Sequence, residues 1–315
     1  MFLITQFIGL FVVNAYSPIS QTIVNPQTGE QEIMITERSL PFGLETPSDE
    51  PTANFLSIVF AFIFALALIF ILMKYKWKII IRLWFFLVIT LALGIAINSI
   101  LKYTSLTNVS IIALVIAIPL AFIKIFRGNV YIHNLTELLI YPGIAVIFVP
   151  ILTPISIIAL LILISIYDMW AVWKSGIMQK MAKFQMEEIK IFGGFLIPSV
   201  SKKVKNQIKK IKQKYKNKKI PKKIKQKKFK VNLAILGGGD IIFPIITAGV
   251  FMRAYPEYSL FGIAGLVPAL FITVGALMGL TFLFLITKKG KAYPAMPYIS
   301  VGIFLGMLLW KLLIF

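Results

Sequence analysis

The chain of 315 residues is 58% hydrophobic and only 14% charged, with a net charge of +21 and a mean hydropathy of +0.87. That balance excludes an ordinary soluble domain and points to an integral membrane protein. The absence of cysteine removes disulfides, thiolate metal sites and cysteine nucleophiles, and a single histidine, His133, argues against a multi-histidine metal site or a serine–histidine triad.

Crossing a bilayer core of about 30 Å takes around 20 apolar residues. Nine segments qualify in chain order: 2–18, 53–73, 77–98, 107–126, 129–150, 154–175, 231–252, 258–287 and 294–314. Within lipid each backbone amide must be satisfied in its own segment, so the expectation is an all-α membrane protein of about nine transmembrane helices. The first segment is short and precedes a polar stretch, as a signal peptide would. It lacks a basic n-region, so it is expected to be retained as a helix.

Lys and Arg are distributed one-sidedly. Lys74, Lys76, Lys78 and Arg82 lie at the second connection, Lys124 and Arg127 at the fourth, twenty lysines from Lys174 to Lys230 at the sixth, and Lys288, Lys289 and Lys291 at the eighth. These make 29 of 33, and the opposite side holds only Arg38, Lys102, Arg253 and Lys311. Positive charge stays in the cytoplasm, so the N-terminus is expected inside and the C-terminus outside a cell membrane.

Most of the excess charge comes from "SKKVKNQIKKIKQKYKNKKIPKKIKQKKFK". Val204, Ile208, Ile211 and Tyr215 recur there at helical spacing until Pro221, which suits a connector lying on anionic lipid rather than a nucleic-acid site. Upstream, Ile177, Met181, Phe184 and Phe192 suggest a second interfacial segment. The chain therefore divides into a membrane region with this interfacial segment over 1–200, the lysine-rich connector 201–230, and a second membrane region over 231–315.

Three acidic residues fall inside the spans: Glu137, Asp168 and Asp240. None has an obvious Lys or Arg partner within a span. An aspartate at a helix centre costs about 2.5–3.5 kcal/mol, so such residues face a bundle interior or water and mark function. The sixth helix runs inward and puts Asp168 about 7–8 residues, roughly 11 Å, from its end; the seventh runs outward and puts Asp240 roughly 14 Å from the same face. Antiparallel neighbours would bring the two carboxyls to nearly one level. Two carboxyls a few ångströms apart cannot both ionise and share a proton, one serving as base and the other as acid. Glu137, with His133 one turn before it, is read as a helix-to-helix hydrogen bond.

Gly237, Gly238 and Gly239 stand directly before Asp240, where they weaken the helix and permit close backbone approach. With Tyr167-Asp168 in the sixth span and Pro294-Ala295-Met296-Pro297 opening the ninth, these residues resemble the YD, GxGD and PAL motifs of the presenilin and signal peptide peptidase family. Met296 stands where the family pattern has leucine. A literal Pro-Ala-Leu at Pro268 to Leu270 lies within the eighth span and is read as coincidence.

The resemblance implies a six-helix N-terminal bundle and a three-helix C-terminal group, with Asp168 and Asp240 at their interface. It implies hydrolysis of peptide bonds inside transmembrane helices by water, with no cofactor or metal, and Tyr167, the glycines and the proline motif supporting the site. The substrates would be membrane proteins, and nothing in the chain calls for an obligatory protein partner. A transporter or cation-conducting protein could use the same carboxylates, but it would have two hydropathy-related halves, and none is evident.

Overall fold

The computed structural model describes residues 1–24, 31–36, 38–44, scattered positions from 56 to 75, 77–175, 184–185, 191–199, 232–287 and 293–314. The main helices are α1 (Phe2–Tyr16), α2 (Lys78–Leu101), α3 (Val109–Phe122), α4 (Val130–Phe148), α5 (Pro154–Met169), α6 (Gly239–Ala254), α7 (Leu266–Ile286) and α8 (Met296–Ile314). The described positions from 56 to 71 are helical too, and the remaining positions of the expected second span lie outside the described residues. Among the described residues six helical stretches are long and apolar enough to cross a membrane: Lys78–Leu101, Val109–Arg127, Val130–Ile151, Pro154–Lys174, Leu266–Ile286 and Met296–Leu313. The lysine-rich connector and Ile177 and Met181 also fall outside the described residues.

Local chemistry sets the helix ends. Asn129 caps α4 by accepting the Tyr131 amide, and Thr153 caps α5 by accepting the Ser156 amide, with Pro154 at the first helical position, where its missing N–H costs nothing. A π-helical turn extends α3 through Arg127, and Gly128 stops it in the left-handed conformation. A matching turn, Trp170–Lys174, extends α5.

The all-α expectation needs correction in two places. The first connection carries an antiparallel hairpin, β1 (Ile19–Val24) with β2 (Gln31–Thr36). More consequentially, the seventh segment is not helical from its start: β4 (Asn232–Gly237) pairs antiparallel with β3 (Gly194–Ser199), and α6 begins only at Gly239. Apolar runs of this length suit a buried strand as well as a buried helix, and the glycines prevent the helix from extending backward.

Buried side chains fall into two clusters. One joins α1 to α4–α8 and to the Phe195 and Leu236 side chains of the hairpin, and the other joins α2, α3 and part of α4, with Phe184 at its edge. Within the first cluster α7 and α8 meet backbone to backbone. A Cβ on Gly275 would strike the Gly302 carbonyl, and one on Gly279 the Tyr298 carbonyl. The spacing Gly275-x3-Gly279 against Gly302-x3-Gly306 is the small-residue seam by which membrane helices gain packing without a hydrophobic driving force. Gly302→Val should force these backbones apart and lower stability by about 1–3 kcal/mol or more, read as a fall in melting temperature in detergent.

Candidate active site

Asp168 stands in the last turn of α5 and Asp240 is the second residue of α6. Their side chains are buried, at 7% and 8% exposure, and lie within electrostatic reach of each other. The sequence reading put Asp240 well inside a helix. It sits instead at a strand-to-helix corner, because β4 replaces the first turns of that segment.

Backbone amides flank both carboxyls. Asp168 Oδ2 accepts the Met296 amide at 3.0 Å, and the Ala295 amide lies beside the same carboxyl. Between Pro294 and Pro297 these are the only amides the chain offers, since proline has none. Residues 293–295 have no regular structure, whereas Met296 is the first residue of α8. Pro297 therefore sits in a helical first turn, where its lack of a donor is harmless, and only Pro294 belongs to a non-helical entry. One turn along each helix, Ser165 donates to Ser300 at 2.9 Å, a second tie between α5 and α8.

The Gly237 amide lies beside the Asp240 carboxyl, and a Cβ on Gly237 would stand 3.1 Å from Asp240 Oδ2. Gly238 donates to the Gly193 carbonyl at 3.1 Å, and a Cβ there would press on the Tyr141 ring and hydroxyl at 3.0 Å. Gly239 is roomier, with only Phe243 near. On the far side of α6, Gln6 of α1 donates to the Ile241 carbonyl at 3.0 Å. Tyr167 is half-buried, its ring 6.3 Å from that of Trp170, which agrees with a packing role at least as well as with one at the carboxyls. Pro268 and Ala269 are buried within α7, away from the α8 entry that carries Ala295 and Met296.

Glu137 makes the helix-to-helix hydrogen bond expected of it, but to a cation that the sequence reading had not paired with it. Lys124 Nζ reaches Glu137 Oε1 at 2.5 Å, with both side chains 2% exposed. Lys124 also donates to His133 Nδ1 at 3.2 Å, and His133 Nε2 lies 2.8 Å from the Gly194 carbonyl. An ammonium can only donate and a carbonyl can only accept, so both bonds fit the imidazole tautomer protonated at Nε2. Among the described residues no group of three or more His, Asp or Glu side chains is arranged to hold a metal ion.

A family model described as signal-peptide peptidase, presenilin aspartyl protease matches residues 33–314. The chain belongs to this family. Two structures of a presenilin family intramembrane aspartate protease, in different space groups, share the fold of this presenilin-type chain. One has a TM-score of 0.59 at 20% identity over 99% of this chain and 96% of that one. The other has 0.57 at 20% over 99% and 95%. No curated protein matches the sequence. With six helices among the described residues able to cross a bilayer, this family member is a multi-pass membrane protein.

Sequence reasoning missed Lys124, Asn134, Gln6, Ser165 and Ser300. Lys124 was counted with loop charges although it falls inside the 107–126 span, and it is one turn from the Gly128 stop that brings α3 back as α4. Lys124→Met should cost this presenilin-type fold about 3–5 kcal/mol by stranding the Glu137 carboxylate in the interior, whereas Lys124→Met with Glu137→Leu should recover most of that loss. Melting temperatures of the single and double variants in detergent check it.

Proposed function

We propose that this protein hydrolyses peptide bonds within transmembrane helices, with Asp168 and Asp240 as the paired acid and base. The observation that carries the reading is the presence of two buried aspartates, on separate helices and within electrostatic reach of each other, in a chain of an aspartyl protease family. One ionised carboxylate takes a proton from a water while the other, protonated, donates to the scissile carbonyl oxygen. The water oxygen adds to the carbonyl carbon and forms a gem-diol. A proton then passes to the leaving nitrogen, the C–N bond breaks, and the products are a carboxyl and an amine terminus. Tyr167, Gly237, Gly238, Gly239, Pro294, Ala295, Met296 and Pro297 shape and support the site, and the reaction requires no cofactor.

A substrate helix hides its carbonyls in internal hydrogen bonds, so cleavage requires that a segment be unwound and given other backbone partners. The hairpin that ends three residues before Asp240 supplies, along β4, a strand edge suited to that exchange. The substrates are thus proteins with transmembrane helices that tolerate local extension.

Asp168→Asn and Asp240→Asn keep side-chain shape and remove the shared proton. Each should fold with nearly unchanged melting and lose at least about 10³-fold in turnover of a transmembrane peptide, the scale expected when general acid–base chemistry is removed. Substantial cleavage by either variant would sink the mechanism.

The orientation belongs to the same reading: the aspartate-bearing ends of α5 and α6 lie toward the cytoplasm, with the N-terminus inside, the C-terminus outside, and the connector 201–230 against anionic lipid. The chain has no native thiol, so Ser201→Cys and Thr28→Cys can be tested singly on intact cells with an impermeant maleimide. Thr28→Cys should label and Ser201→Cys should not; the opposite pattern reverses the topology.

A further inference from the structure

The two edges of the β3–β4 hairpin are treated differently. Strand residues alternate their hydrogen-bonding direction, so Gly194, Leu196 and Pro198 of β3 face away from β4. That outer edge is closed. The Gly194 carbonyl accepts from His133, the Leu196 carbonyl accepts from Asn134 Nδ2 at 2.9 Å, and the Leu196 amide donates to Asn134 Oδ1 at 3.0 Å. Pro198 has no amide to offer. The side-chain amide of Asn134 therefore pairs with Leu196 as a neighbouring strand would.

The outward positions of β4 are Leu233, Ile235 and Gly237, opposite Pro198, Leu196 and Gly194. Among the described residues no hydrogen bond reaches the Leu233 or Ile235 backbone from that side. This is the edge that runs directly into Asp240.

The clamp is built on one stripe of α4. His133, Asn134, Glu137 and Tyr141 recur at spacings of three and four, so they share a face. Glu137 and Lys124 brace His133, while Tyr141 stacks edge-on to the fully buried Phe195 with ring centroids 6.1 Å apart and touches Gly238. The His133–Asn134 turn of α4 thus meets β3, and Tyr141, two turns on, meets Phe195 and the Gly238 corner beside Asp240.

We infer that His133 and Asn134 are positioning residues that fix which peptide bond is cut, by locking the register of the β3–β4 hairpin against the helix bundle. This inference rests on the aspartyl protease reading above. An extended substrate segment pairing with β4 presents to the carboxyls whichever carbonyl the hairpin's register dictates. Strand register is set in steps of about 3.3 Å per residue, and a hairpin with one edge released is free to settle a step away. A residue that merely stabilised the fold would change yield and rate and leave the cut bond the same.

The test uses the full-length protein in detergent, a transmembrane peptide substrate, initial rates over a substrate range, and mass spectrometry of the new termini. Asn134→Leu and His133→Leu should each lower turnover about five- to ten-fold, as expected for losing one or two buried hydrogen bonds. They should also move at least half of the product to bonds about one or two residues from the wild-type cut. His133→Gln, whose amide can still donate to the Gly194 carbonyl, should restore the wild-type cut. If Asn134→Leu does not fold, Asn134→Ser, too short to bridge both Leu196 groups, is expected to shift the products in the same way. Unchanged product termini in the Asn134 and His133 variants, at whatever rate, overturn the clamp and leave the protease reading standing. Turnover by Asp240→Asn, run alongside, would bring down the protease reading and the clamp with it.

Discussion

Backbone groups outside helices have no water to turn to in a bilayer, and the candidate site is a place where the chain leaves its helices three times. Each departure is repaired locally. The entry to α8 gives the Met296 amide to Asp168 and sets the Ala295 amide beside it, the corner before α6 sets the Gly237 amide beside Asp240 and gives the Gly238 amide to Gly193, and β3 gives its outer groups to His133 and Asn134. The carboxylates are thus acceptors that complete the backbone as well as candidates for chemistry. Irregular structure is tolerated at such depth only where protein supplies the missing partners.

The helices around these departures are held by contacts of a different kind. Glycines let α7 and α8 share a backbone seam, and Ser165 with Ser300 joins α8 to α5. Pro244 within α6 removes the amide that would otherwise bond the Asp240 carbonyl, and Gln6 occupies the carbonyl next to it. α1 is therefore part of the scaffold around Asp240. Its Gly9 lies so close to Ile245 that a Cβ there would stand 2.5 Å from the Ile245 side chain.

The helices and the membrane class were legible in the sequence because hydropathy reports burial directly, and Asp168 and Asp240 stood out as candidates because a charge in an apolar span is costly. The hairpin was not. "NLAILGGGD" is apolar throughout, and the periodicity that separates strand from helix vanishes when both faces are covered. Lys124 and Glu137 escaped for another reason: pairing across helices depends on which faces meet, and a single sequence gives depth without azimuth. Asn134 was overlooked because one neutral amide in a helix carries no signal until the strand it mimics is known.

Some bonds that define the site span most of the chain: Gln6 reaches Ile241 across 235 residues, and Asp168 reaches Met296 across 128. Synthesis runs from the N-terminus, so Asp168 enters the membrane well before the amides that hold it have been made. Assembly order is thereby built into connectivity. A nascent or truncated chain that stops before Pro294 contains both aspartates yet leaves Asp168 without the Met296 amide, so the carboxylate is not fixed until the last segment is in place.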